Sequence, residues 1–172
     1  MKRLLPLAAL AIAVASCNTS GCLDNRNAIP RAQLYSSATG DAVTVNMLQI
    51  YGIGAPNDSV LVESGDAVSE IYLPMRSEHQ TTSWCFHYTQ SNISDLAMND
   101  TITFGYTSTP YFASEECGAS YRYNITSCTN TTHIVDSVVV VDSLITNVDR
   151  VRIRIYLRTA EPEPEPEPQP ES

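Results

Sequence analysis

The side chains able to do chemistry in this chain are scattered rather than grouped. Three histidines, His79, His87 and His133, could each accept a proton near neutral pH. None has a spacing that supplies a partner nucleophile. Serine and threonine are plentiful, yet no Gly-x-Ser-x-Gly elbow is present to expose a hydroxyl at a sharp turn. Glu115 and Glu116 are adjacent carboxylates, and neighbours on a strand point to opposite faces, so they do not flank one substrate bond. Neither a His-Glu-x-x-His helix nor a calcium loop occurs, and Asp58, Glu63 and Asp66 read as solvated loop acids. The expectation is therefore no catalytic residue, no metal and no cofactor. An envelope hydrolase is the distant alternative. It requires a pocket holding His87 or His133 beside a serine, aspartate or glutamate.

Two other groups could act by contact. Tyr106, Tyr111, Phe112, Tyr121 and Tyr123 cluster around Cys117, and aromatic side chains anchor interfaces or stack on sugar rings. Their alternation assigns most of them to a core. Tyr111 and Phe112 are adjacent and cannot both face inward on a regular strand, so this pair is the candidate contact patch. Arg150, Arg152, Arg154 and Arg158 form a basic stripe on an acidic chain. It reads as a solvated strand face opposite acids, with anion binding as the sharper alternative.

The N-terminus carries an address. Lys2 and Arg3 precede the apolar run Leu4–Ala15, and small residues Val14-Ala15-Ser16 lead directly into Cys17. A spanning helix needs about 20 apolar residues, so the run is too short to remain in a bilayer. Its form is that of a bacterial lipobox. Residues 1–16 are expected to be removed and Cys17 acylated, with 17–30 as a tether. The bilayer, reached through Cys17, is then the expected partner, with an envelope protein or glycan as a second. Asn18-Thr19-Ser20-Gly21 lacks an acidic surface-export cluster, which points to an outer membrane and a periplasm-facing domain. The chain carries 10 Lys and Arg against 19 Asp and Glu, a net of −9. That balance disfavours nucleic acid as a partner. Setting Cys17 aside leaves Cys22, Cys85, Cys117 and Cys128. An even number in an exported chain implies two disulfides, with three connectivities open.

These groups are positioned by strands. Residues 42–51 alternate Val43, Val45 and Met47 with Thr44, Asn46 and Leu48. Short strands are expected at 59–63 and 69–73. Residues 83–90 put Trp84, Phe86 and Tyr88 on one face, 100–107 align Ile102, Phe104 and Tyr106, and 120–127 align Tyr121, Tyr123 and Ile125. The run Val138–Val141 reads as buried on both faces. Residues 150–158 alternate Val151, Ile153, Ile155 and Leu157 with Arg150, Arg152, Arg154 and Tyr156. About eight strands and no convincing helix predict an all-β, antiparallel sandwich over 31–159, immunoglobulin-like or related. Residues 160–172 alternate Glu and Pro, which favours an extended, solvated acidic tail.

Several elements also carry a resemblance. Cys22 followed by Ile29-Pro30-Arg31, then Tyr51-Gly52-Ile53-Gly54, Asp100-Thr101-Ile102-Thr103-Phe104, Pro110-Tyr111-Phe112, Glu116-Cys117-Gly118 and Ile134-Val135-Asp136-Ser137-Val138 resemble a family of small Bacteroidota lipoproteins of unknown function. The likeness runs from Cys22 to Leu157. It implies no activity, substrate or catalytic residue. It does imply a Cys22–Cys117 pair, leaving Cys85 with Cys128. The competing pairing joins Cys117 to Cys128 and Cys22 to Cys85. Four Asp-[Ser/Thr]-aliphatic triplets resemble the O-glycosylation acceptor of Bacteroidota envelope proteins, which implies Ser59, Thr101, Ser137 and Ser143 as acceptors. The resulting expectation is a lipid-anchored, non-catalytic binding or scaffolding module. A carbohydrate-binding module using Tyr111 and Phe112 is the first alternative.

Overall fold

The computed structural model describes residues 28–56, 59–65, 67–114 and 118–159. Ten strands form two stacked sheets: β1 (Arg31–Ser36), β2 (Leu48–Ile53), β3 (Val60–Val62), β4 (Glu70–Tyr72), β5 (Thr81–Tyr88), β6 (Asp100–Ser114), β7 (Gly118–Asn130), β8 (Val135–Val140), β9 (Leu144–Ile145) and β10 (Val151–Leu157). The small sheet has the order β4-β1-β10-β8 and the large sheet β3-β2-β5-β6-β7-β9. This is the expected sandwich, with ten strands rather than about eight. One pairing departs from an all-antiparallel plan: β1 and β10 run parallel.

The core forms where the inner faces meet. Leu34, Ile153, Ile155 and Leu157 of the small sheet pack against Leu48, Ile50, Trp84, Phe86, Ile102 and Phe104 of the large one. Each full burial of such a side chain stabilises by roughly 1.5–3 kcal/mol. Two readings change. Met47 has φ 56°, a left-handed conformation that costs a side-chain-bearing residue about 1–2 kcal/mol. It ends the alternation seen in 42–51, leaving Met47 44% exposed and Leu48 in the core. The Val138–Val141 run is not buried on both faces either, because in a two-sheet sandwich β8 turns only one face to the core. Val138 and Val140 pack against the core, while Val139 is 45% exposed.

Candidate functional site

The longest strands build the most distinctive feature. β5 pairs with β6 only as far as Gly105, and β9 pairs with β7 only at Tyr123 and Asn124. Beyond those points β6 and β7 pair with each other alone and project as a two-stranded arm. A bulge between Gly105 and Tyr106 marks its root, as bulges do where a sheet bends away. At the root, Tyr106 and Tyr123 are buried and meet edge-on with ring centres 5.5 Å apart. Farther out the same face is bare: Tyr121 is 39% and Phe112 67% exposed. Tyr111 lies on the opposite face with the Arg122 guanidinium 4.3 Å above its ring. The predicted Tyr111–Phe112 patch is therefore divided between two faces.

Beneath the arm is a cleft of 430 Å³, lined by Ala28, Ile29, the 74–79 loop, Tyr121 and Tyr123. Tyr106 and Tyr123 fix that loop. The Tyr106 hydroxyl donates to the Arg76 carbonyl (3.0 Å), and Tyr123 donates to the Met75 carbonyl (3.3 Å). Burial among these rings pushes the Tyr123 phenol above its ordinary pKa, and neighbouring Tyr106 and Tyr121 add to the shift. His79 is exposed on the cleft wall.

The strongest polar cluster surrounds Asp100, which is 0% exposed. Its carboxylate accepts from the backbone N–H groups of His133 (2.9 Å), Ile134 (2.8 Å) and Val135 (2.7 Å). It also accepts from the hydroxyls of Thr131 (2.8 Å) and Tyr88 (3.1 Å). Burial and the adjacent carboxylate drive the Tyr88 phenol far above its ordinary pKa. His133 Nδ1 donates to the Asn99 carbonyl (2.9 Å), and His87 Nδ1 to the Asn99 side chain (2.9 Å). Both Asp100 oxygens are thus engaged by five donors and join the large sheet to the start of β8. That is a structural clasp rather than a nucleophile–base line. Neither of the two described clefts is lined by His87 or His133. Sequence reading missed Asp100 as an anchor, because a buried acid within Asp-Thr-Ile looks like any surface acid.

The arginine stripe also resolves into separate contacts. Arg150 and Arg152 both bind Asp142, and Arg152 is buried at 3% exposure. A register shift sets Arg31 against Val151 and Ala32 against Ile153, so Arg152 is the extra residue of a bulge. Arg158 pairs with Asp136 at 3.0 Å. Asp142 is held below the usual carboxylate range, first by the Leu144 N–H and then by the two guanidinium groups. Arg154 alone lies on a solvated sheet face, 5.5 Å from the Tyr35 ring centre. Tyr35 in turn lies 5.5 Å from Tyr156. Gln33 and exposed Tyr72 and Val139 complete this outer face of the small sheet. The sequence offered no pairing signal to join Tyr35 to Tyr156, 121 positions apart.

The cysteine expectation needs correction. Cys85 and Cys128 are free thiols. They stand on strands separated by β6, with Cys85 opposite Thr101 and Cys128 opposite Phe104. Two strand spacings alone set their backbones about 10 Å apart, beyond the roughly 7 Å limit for a disulfide. They also face opposite sides of the sheet: Cys128 packs against the core, and Cys85 is next to Tyr51 on the outer side. The alternative pairing, Cys117 with Cys128 and Cys22 with Cys85, draws on these same two free thiols. Burial raises both free thiols above their ordinary pKa, Cys128 to about 11. Cys17, Cys22 and Cys117 lie outside the described residues, as do residues 1–16, expected to be removed, most of the expected tether (17–30) and the expected tail (160–172).

Residues 47–157 match the model of a family of unknown function, DUF6452. The chain belongs to this family. The match takes in the arm, Asp100 and the contacts of Arg150 and Arg152 with Asp142, whereas Cys22, Ile29-Pro30-Arg31 and Arg158 lie outside it. Neither the curated proteins nor the solved structures contain a match to the chain. DUF6452 membership thus adds no activity to the geometry. Of the four glycosylation candidates, Ser59 and Ser143 are exposed, and Thr101 and Ser137 are half-buried. Three of the triplet acids, Asp100, Asp136 and Asp142, are held in the contacts described above.

Among the described residues, no group of three or more His, Cys, Asp or Glu is placed to hold a metal.

Proposed function

We propose that the chain is exported, acylated at Cys17, and acts as a non-catalytic binding module on the periplasmic side of a bacterial outer membrane. The lipobox-like run into Cys17 supports the anchor, because several acyl chains hold a domain that one would not. The outer face of the small sheet supports the binding role. Tyr35, Tyr156 and Tyr72 lie there with Arg154 and Gln33 between them, an arrangement of flat apolar rings and adjacent hydrogen-bond donors. A glycan is the ligand class this arrangement favours, since ring faces stack on sugars while the amide and guanidinium meet hydroxyls.

Two experiments test the reading. Metabolic labelling with a palmitate analogue is expected to mark the protein and to be lost in Cys17→Ser, with release from membranes; an unlabelled wild type removes the anchor. Affinity electrophoresis in envelope polysaccharide is expected to retard the wild type but not Tyr35→Ala or Tyr156→Ala. Equal mobility of all three removes the glycan reading, while capture of an envelope protein that needs Tyr35 keeps the binding role. The Cys22–Cys117 bond belongs to the same proposal. It would constrain the unfolded chain by about 4–5 kcal/mol in the loop-entropy model, and peptide mapping without reductant tests it.

A further inference from the structure

Arg154 stands apart from the other arginines in and beside the small sheet in having no counter-ion. Arg31, Arg150, Arg152 and Arg158 each face a carboxylate. Arg154 has no acidic partner among the described residues, and its cross-strand neighbours, Gln33 on β1 and Val139 on β8, are uncharged. Two acids border the same face, Glu70 opposite Gln33 and Asp149 beside Tyr72. Arg31 faces both, at 3.5 and 3.6 Å. Beyond about 8 Å, physiological salt screens the chain's remaining negative charge. The face therefore presents an uncompensated positive charge beside its rings.

We infer that this face takes a glycan bearing carboxylates, with a uronic acid residue stacked on Tyr156 and its carboxylate bound by Arg154. This ligand class rests on the glycan reading above and narrows it to acidic sugars.

Spacing and donors support it. The Arg154 guanidinium already sits 5.5 Å from the centre of the Tyr35 ring, which leaves Tyr156 as the adjacent ring open to a sugar. Arg154 and Tyr156 are same-face neighbours on β10, about 7 Å apart along the strand. A pyranose lying on Tyr156 holds its C5 carboxylate at the ring edge, within reach of a guanidinium at that spacing. A sulfate ester stands one oxygen farther out and fits the interval less well. The planar guanidinium receives a carboxylate through two parallel bonds. Beside it, the Tyr35 hydroxyl donates to Gln33 Oε1 (2.6 Å), so the Gln33 NH₂ remains to donate to a sugar hydroxyl.

The test titrates the full chain calorimetrically with oligomers of galacturonate, glucuronate and mannuronate. Each is matched by its carboxyl-reduced neutral counterpart and by a sulfated form of that neutral oligomer. The wild type is expected to bind at least one uronate about tenfold tighter than its neutral counterpart, the effect of one charge-assisted pair, and tighter than the sulfated form. That preference is expected to shrink as salt rises. Arg154→Gln should bind acidic and neutral forms equally, while Tyr156→Ala should lose both. Arg154 is exposed, so Arg154→Gln leaves the fold intact and carries the comparison. Three results overturn the acidic-sugar inference and leave the glycan reading standing: equal binding of acidic and neutral forms by the wild type, a preference that survives in Arg154→Gln, or a sulfated form bound as tightly as the uronate. Failure of every oligomer to bind overturns both.

Discussion

Replacing Asp100 by alanine should be among the most damaging single changes in this fold. The carboxylate accepts five hydrogen bonds, three of them from consecutive backbone N–H groups at residues 133–135. Alanine leaves those donors without an acceptor in a site closed to water, and each orphaned group costs about 1–3 kcal/mol. Partial relaxation of the 131–135 segment gives an expected loss of about 4 kcal/mol, a large share of the 5–15 kcal/mol typical of a domain. Asp100→Asn keeps one acceptor but turns an NH₂ toward the donors, so about 2–3 kcal/mol is expected. Urea unfolding followed by the fluorescence of Trp84, the single tryptophan, reads the change. With a slope near 2 kcal/mol/M, Asp100→Ala should lower the midpoint by about 2 M. Asp136→Asn, which breaks the exposed pair with Arg158, should cost less than about 1 kcal/mol. A result in which Asp100→Ala costs no more than Asp136→Asn would refute the clasp.

Further outcomes follow from the same contacts. Asp142→Ala should destabilise clearly more than Arg154→Ala, because it leaves the buried Arg152 guanidinium without its carboxylate partner, while Arg154→Ala on the open face should change stability by less than about 0.5 kcal/mol; calorimetry of both compares them. Cys85 and Cys128 should resist iodoacetamide at pH 8 in the native protein and react in denaturant. Because burial raises their pKa values, the folded state holds protons that the unfolded chain releases first. Stability should therefore fall as pH rises from 9 toward 11, as read by urea titration across that range. Met47→Gly should raise stability by about 0.5 kcal/mol, since glycine adopts its left-handed φ without the steric cost; a lower urea midpoint would count against that.

Much of the sandwich was legible because a half-buried strand writes its inner face every second residue. Trp84, Phe86 and Tyr88, or Ile102, Phe104 and Tyr106, could be assigned to the core from spacing alone. The same rule failed wherever the backbone broke period. Met47 flips the alternation, and the bulge at Arg152 turns a residue expected in solvent into a buried one. Tyr121 obeys the periodicity of β7 yet is exposed, because period reports which face a side chain takes and not whether the opposing sheet still lies beneath it. The contact surfaces were the least legible part. Tyr35 with Tyr156, and Asp100 with the 133–135 backbone, are brought together by long-range topology, and neither partner has a local pattern that names the other. The cysteines show the complementary limit: compartment and parity suggested two bridges, whereas strand order separates Cys85 from Cys128.

The parallel pairing of β1 with β10 has a mechanical consequence. Six residue pairs join the first and last strands, with the N-terminal end of β1 beside the start of β10 and the chain leaving β10 at the opposite end. Tension between an N-terminal attachment and a load on the residues after 159 would pull these strands past one another lengthwise. Evenly spaced bonds across a parallel ladder then share the force together instead of opening singly like a zipper. The two strands that bound the domain in sequence thus form its shear clamp, set within the small sheet between β4 and β8.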